Sequence, residues 1–294
     1  WTPKSKPVDL YINGSYRGSY ILIERIAVAA NRVNVPELDS SSTDITGGYI
    51  LEWDFRKGAD YNLTAGSRGW VGIKDPEKDL DAAGNDTHLG ITTAQRAYIN
   101  NYVDATDKAL FSSNYTNDST GWKKYIDEGS AVDYYIAMEL MKPVDGNMWA
   151  SVYMYKQANG KLFFGPMWDF DLAAGSANRA GGVVSPTGWY LRNPLAISAR
   201  QSSVTWFNRL NQDPDFRAAV KARWNKVYPS LKTTTSYIDA ERSTIKKSAD
   251  ANFTKWSVTE HISSSQVVKG SWSKEVSYVR SWMSSRLAWM DRQY

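Results

Sequence analysis

The sequence predicts an α+β fold, with β-hairpins concentrated towards the N-terminus and a mainly helical C-terminal part. Three observations predict it. Residues 8–23 alternate apolar and polar side chains around Asn13-Gly14, a pair that accepts the positive φ angles of a tight hairpin turn. Residues 149–167 repeat the device, with VYMYK and KLFF on either side of the turn QANG. From residue 204 onward apolar residues recur at three- and four-residue spacing, the helical period.

The elements follow in order. The second strand of the first hairpin runs into ERIAVAANRV, a polar stretch covers 36–46, and GGYILEWDF (47–55) reads as another strand, with a further extended piece near 70–74. Residues 75–88 are acidic, Gly-containing and unpatterned, and read as an exposed loop. A helix then starts with Thr92 or Thr93 as N-cap and presents Ile99, Tyr102, Val103, Thr106 and Leu110 on one face. A second helix is expected from Ser130, with Asp133 at the capping-box position, until Pro143 stops it. A short loop (144–148), the second hairpin and the tetrapeptide WDFD (168–171) follow, and then a Gly-, Ser-, Ala- and Pro-rich loop over 173–188. Helices are expected at 204–211, 213–228, about 230–251 and 273–293. In the last, Val276, Val279, Met283, Leu287 and Met290 form a core stripe rather than a cofactor box. No internal repeat is visible.

Composition removes several function classes. The 294 residues are 42% hydrophobic and 22% charged, an ordinary globular balance. The most apolar window, 20–30, is interrupted by Glu24 and Arg25, so no membrane span is expected. The net charge of +4 comes from 35 basic and 31 acidic residues mixed along the chain, without the clustered stripe of a nucleic-acid footprint. Cysteine is absent and His88 and His261 are the two histidines, which excludes thiol nucleophiles, disulfides and Cys/His zinc sites, so that any metal is oxygen-ligated. A cysteine-free chain is compatible with an extracellular or surface setting. The first residues, WTPKSKPVDL, show neither an initiator methionine nor a leader pattern. The 13 Trp and 18 Tyr outnumber the 8 Phe, and because the Trp residues are scattered, packing under polar loops is favoured over sugar stacking.

Three carboxylates are candidates for chemistry. Asp145 follows a Pro-stopped helix, and Asp169 and Asp171 follow a strand, two residues apart, so an extended backbone would point both the same way. Two carboxylates on one side suit magnesium, which is commonly held by one or two of them together with phosphate oxygens and water. The same spacing is also met where Asp169 caps a turn and Asp171 is merely solvated, and Asp145-Gly146 is also common turn chemistry.

The phrases YINGSYRGSYILIERI, ELMKPVD and SVYMYKQANGKLFFGPMWDFDLAAG, with the later Trp- and Phe-containing helices, resemble the CotH family of spore-coat-type and related secreted proteins over residues 8–228. The resemblance implies an atypical protein-kinase-like fold over 1–294, with a partial small lobe, hinge and following strands at 1–74 and a large lobe at 75–294. It implies transfer of the γ-phosphate of ATP, with magnesium, to a coat or extracellular protein acceptor. Glu24 would stand at the hinge beside the adenine, Asp145 would orient or deprotonate the acceptor hydroxyl, Asp169 would hold magnesium, and Asp171, where ordinary kinases have Gly, would hold a second. Pro143-Val144 stands before Asp145 where the resembling sequences often have Asn, and Asn147 or Ser151 would supply the missing oxygen ligand towards the nucleotide. The Gly-rich loop and phosphate-gripping Lys–Glu pair of a kinase are expected upstream of residue 8. A competing reading is a non-catalytic extracellular or coat-associated module that retains the fold and binds a protein or glycan through exposed Trp and Tyr. A glycosidase using Asp145 and Asp169 lacks a supporting pattern, and AGSANRAGG is not the G-x-S-x-G of a serine hydrolase.

Overall fold

The computed structural model of the chain describes residues 1–59, 61–66, 68–77, 91–178, 183–192, 204–257 and 266–294. Strands β1 (Ser5–Ile12) and β2 (Ser15–Ile23) form an antiparallel ribbon turned at Asn13 (φ 50°) and Gly14 (φ 75°), as the Asn-Gly pair requires. Strands β3 (Tyr49–Trp53), β4 (Tyr61–Thr64), β5 (Trp70–Asp75), β6 (Val152–Lys156) and β7 (Leu162–Phe164) form a second antiparallel sheet in the order β4-β5-β3-β6-β7. The α+β class is therefore observed. Asp75, read from sequence as the start of a loop, instead ends β5. The rest of that loop from residue 78, residues 179–182 of the loop expected over 173–188, and both histidines lie outside the described residues.

Alternation along the strands gives the larger sheet two different faces. Leu51, Trp53, Val71, Ile73, Val152 and Met154 enter the main core with the helices. On the other face Ile50 and Tyr153 join Val33 and Val35 in a smaller cluster, flanked by Ile26, Val28, Tyr155 and Trp168.

Helix α1 (Thr93–Phe111) is capped by Thr92, whose hydroxyl accepts from the Gln95 N–H while the Gln95 side chain accepts from the Thr92 N–H. That reciprocal pair satisfies two of the donors a helix start leaves open. Helix α2 (Glu128–Met141) starts earlier than the sequence reading has it. Asp127 is the cap, accepting from the Ser130 N–H at 2.7 Å, and Asp133 lies on the surface, bound to Arg223 at 2.6 Å. Helices α3 (Trp206–Leu210), α4 (Pro214–Leu231), α5 (Thr234–Lys255) and α6 (Trp272–Asp291) complete the helical part, and Met283, Leu287 and Met290 of α6 are buried as the stripe predicts. The ribbon rests on α5. The Ser19 N–H donates to Asn252 Oδ1, Trp256 Nε1 to the Arg17 carbonyl, and the Ser248 hydroxyl to Asp9.

One ion pair is fully enclosed. Arg286 of α6 meets Glu139 of α2 at 2.9 Å, with both side chains at 0% exposure. Glu139 also accepts from the N–H groups of Tyr190 and Leu191, and Arg286 donates to the carbonyls of Glu139, Pro186 and Gly188. Every remaining donor and acceptor is used, which is what makes an enclosed pair tolerable.

Two buried lysines set a pH dependence. Burial, reinforced by Arg286, pushes Lys142 down to about 7, and burial pushes Lys156 down to about 8. Both ammonium groups donate to backbone carbonyls, Lys142 to Ser185 and Thr187, Lys156 to Thr46 and Gln157. Between those values and the ordinary lysine value of about 10.4 the unfolded chain holds more protons than the folded one, so stability rises with pH. Thermal unfolding followed from pH 6.5 to 9.5 should show a gain on the order of 5 kcal/mol, the larger part of it from Lys142. The slope should flatten in Lys142→Met, and a stability that falls across that window would contradict the assignment.

Candidate active site

Helix α2 ends where Lys142 adopts a left-handed conformation (φ 47°) ahead of Pro143, which cannot continue the helix. The loop that follows is held from both sides. Tyr190 Oη donates to the carbonyls of Pro143 and Val144, at 2.5 and 3.0 Å, and the Val144 N–H donates to the Leu172 carbonyl at 2.9 Å. Asp145 is half-buried in this loop, and its carbonyl accepts from the N–H groups of Trp149 and Ala150.

The β6–β7 hairpin returns the chain to the same place. Ser151, at φ 56° just before β6, donates its hydroxyl to Asp169 Oδ2 at 2.9 Å, and Asp169 stands at φ 56° just after β7. Asp is among the residues that tolerate this region, and such backbone geometry clusters at functional sites. Asp169 and Asp171 are both exposed, and the Asp171 carbonyl accepts from the Ser176 hydroxyl at 3.0 Å. Ser151 and Asp169 are therefore in direct contact, and the Val144–Leu172 bond ties the Asp145 loop to the segment that carries Asp169 and Asp171.

Asn147 is placed differently. It is buried, with its amide nitrogen 3.5 Å from the Tyr190 carbonyl and its amide oxygen accepting from the Thr205 hydroxyl at 3.1 Å. Glu24 follows β2, where its N–H donates to the Lys4 carbonyl and its carboxylate accepts from the Lys4 N–H. The next residues, Arg25 and Ile26, line a cavity of about 240 Å³ together with Lys74, Asp75, Tyr153 and Trp168. Trp168 is half-buried and meets Tyr153 edge to face at 6.4 Å. The segment just after the ribbon and the residue before Asp169 thus border one cleft.

Two polar groups of this cleft, Lys74 and Tyr153, and Glu52 beside them are absent from the sequence reading. Glu52 and Lys74 pair at 3.4 Å across β3 and β5. Burial raises the Glu52 carboxyl above its ordinary range, with Lys74 opposing the shift. Tyr153 is raised too, by burial and then by the nearby Glu52 and Asp169 carboxylates. The signal available was the alternation in YILEWDF, which sets Glu52 on the face of Ile50, but strand register decides that Lys74 meets it. Asp75, at the edge of the same cavity, is raised to about 6 by burial and by Glu77 and Glu37.

Among the described residues no three His, Cys, Asp or Glu side chains converge into a protein-only metal cage. Asp169 (φ 56°) departs from the extended backbone that would point the Asp169 and Asp171 carboxylates the same way, and the contact observed here is that of the Ser151 hydroxyl with the Asp169 carboxylate.

A loop aspartate, a hairpin and an Asp-Phe turn, in that order beside an aromatic cleft, make up the layout of a kinase-related domain. The family model described as CotH kinase protein matches residues 1–290, and the chain belongs to that family. No curated protein matches it.

Proposed function

We propose that this chain transfers the γ-phosphate of ATP to a hydroxyl of a protein acceptor, in the magnesium-dependent manner of a kinase. The Ser151–Asp169 contact beside the cleft of Arg25, Tyr153 and Trp168 carries the reading, because it joins an oxygen site to an aromatic pocket of nucleotide character. The base lies against Tyr153 and Trp168 and takes backbone hydrogen bonds near Glu24. Asp169 and Asp171, with Ser151, would hold magnesium, which would neutralise phosphate charge. Asn147 acts through its bonds to Tyr190 and Thr205, fixing the loop rather than reaching the metal. Asp145 orients the acceptor hydroxyl and takes its proton, the hydroxyl oxygen bonds to the γ-phosphorus, and the bond to the bridging oxygen breaks, releasing ADP. Lys74, paired with Glu52, faces the cleft and is the cation suited to the phosphates. A coat-associated or extracellular acceptor fits the family and the cysteine-free composition.

A thermal shift tests the nucleotide reading. ATP with magnesium at a hundredfold excess over its dissociation constant should stabilise the chain by about 2.7 kcal/mol, more than either component alone. No shift at millimolar ATP would favour the second reading, a non-catalytic binding module. For that reading the ribbon speaks, since Ile21 and Leu22 are 68% and 66% exposed.

A further inference from the structure

A second cavity, of about 450 Å³, is bounded by Trp53, Phe55, Lys57, Arg68, Trp70 and Trp149. One of its walls continues the loop that carries Asp145. The Trp149 N–H donates to the Asp145 carbonyl at 3.2 Å, and the Trp149 carbonyl accepts from the Phe55 N–H at 3.1 Å. We propose that this cavity is the subsite for an acidic side chain of the acceptor, an Asp or Glu a few residues from the hydroxyl that receives phosphate. The proposal rests on Asp145 facing that hydroxyl.

The ring faces argue for an anion over a sugar. A sugar needs an open aromatic face, and here one face each of Phe55, Trp149 and Trp70 is already covered. Phe55 and Trp149 stack on each other at 4.1 Å and 14°, and the Lys57 ammonium lies 3.4 Å from the centre of the Trp70 ring. Arg68 is spoken for, bonded to Asp107 at 2.9 Å and stacked on Phe111 at 3.4 Å. Lys57 is exposed and has no carboxylate partner among the described residues. Its ammonium is already positioned by Trp70, so less side-chain freedom is lost when an anion meets it.

The indoles add neutral donors. Trp122, Trp206, Trp224, Trp256 and Trp282 spend their N–H groups on acceptors within the fold. Those of Trp53, Trp70 and Trp149 have no acceptor among the described residues, a lack they share with Trp1, Trp168, Trp189, Trp272 and Trp289, but these three line one cavity beside Lys57. Indole N–H groups only donate, so a ligand that satisfies them brings oxygen acceptors, as a carboxylate and a peptide backbone do.

The test is fluorescence anisotropy of labelled Ser-containing peptides with the full 294-residue chain, without nucleotide. One peptide carries Glu residues near the Ser, a second carries Gln in their place, and a neutral oligosaccharide is the competitor. The Glu peptide should bind about tenfold more tightly than the Gln peptide. Lys57→Gln should remove that difference and Lys57→Arg should keep most of it. Equal binding of the two peptides, insensitivity to Lys57→Gln, or displacement by the oligosaccharide would each overturn the proposal. Phosphate transfer to both peptides is measured in parallel. Transfer that is equal for Glu and Gln peptides overturns the subsite and leaves the kinase reading standing. Lys57-dependent binding without any transfer does the reverse, upholding an acidic-peptide site and withdrawing its catalytic setting.

Discussion

Asp169→Asn is expected to lower phosphate incorporation by about a hundredfold or more, the usual cost of removing a preorganised group that meets charge developing in the transition state. The substitution separates charge from fold. Asn tolerates the left-handed backbone at φ 56° and still offers Ser151 an amide oxygen, so folding should be little affected. Asp169 is also exposed, and substitutions at such positions usually change stability within about 0.5 kcal/mol. Labelled γ-phosphate transfer and a thermal melt on the same preparations check both halves. Transfer within a factor of two of the parent chain would take Asp169 out of the reaction.

Glu139→Ala is expected to cost about 3–5 kcal/mol, because it leaves the enclosed Arg286 charge without a counter-ion and the N–H groups of Tyr190 and Leu191 without their acceptor. The exposed pair Arg280–Asp239, 44% and 45% exposed at 2.8 Å, is the control, and Arg280→Ala should cost less than about 1 kcal/mol. Urea unfolding measures both, with an unchanged denaturant slope showing that stability alone has moved. Equal costs at the two sites would mean that enclosure adds nothing here. The damage should also reach the active site, since Tyr190 connects Glu139 to the carbonyls on either side of the Pro143–Val144 bond.

What could be read in the sequence is what local chemistry decides. Asn13-Gly14 fixes the ribbon turn, Thr92 and Gln95 fix the start of α1, and Pro143 stops α2, each within a few residues of chain. The start of α2 is ambiguous in the sequence because Asp127 and Ser130 are both good caps, and the geometry selects Asp127. Strand β4 leaves no signal in the sequence because YNLT is too short to alternate convincingly. In the site, the order of Asp145, the hairpin and Asp169 was legible from the family resemblance. The Glu52–Lys74 pair was not, since it depends on the register between β3 and β5. The Glu139–Arg286 pair was equally hidden, because polar residues on helices usually face water and nothing local marks these two as partners across 147 residues.

The ribbon and the larger sheet beside the cleft of Tyr153 and Trp168 differ in what holds them. The sheet is packed on the main core, whereas the ribbon is tied to α5 by a few polar contacts from Asn252, Trp256 and Ser248 and keeps Ile21 to Ile23 in water. A two-stranded hairpin is marginal by itself, so its amides should exchange with solvent through local openings that the sheet does not share. The segment that follows the ribbon and lines the cleft, Arg25 and Ile26, therefore leads directly into a softer cooperative unit than the sheet. Any ligand that touches both draws part of its affinity from, and leaves part of its signature in, the quieting of that unit.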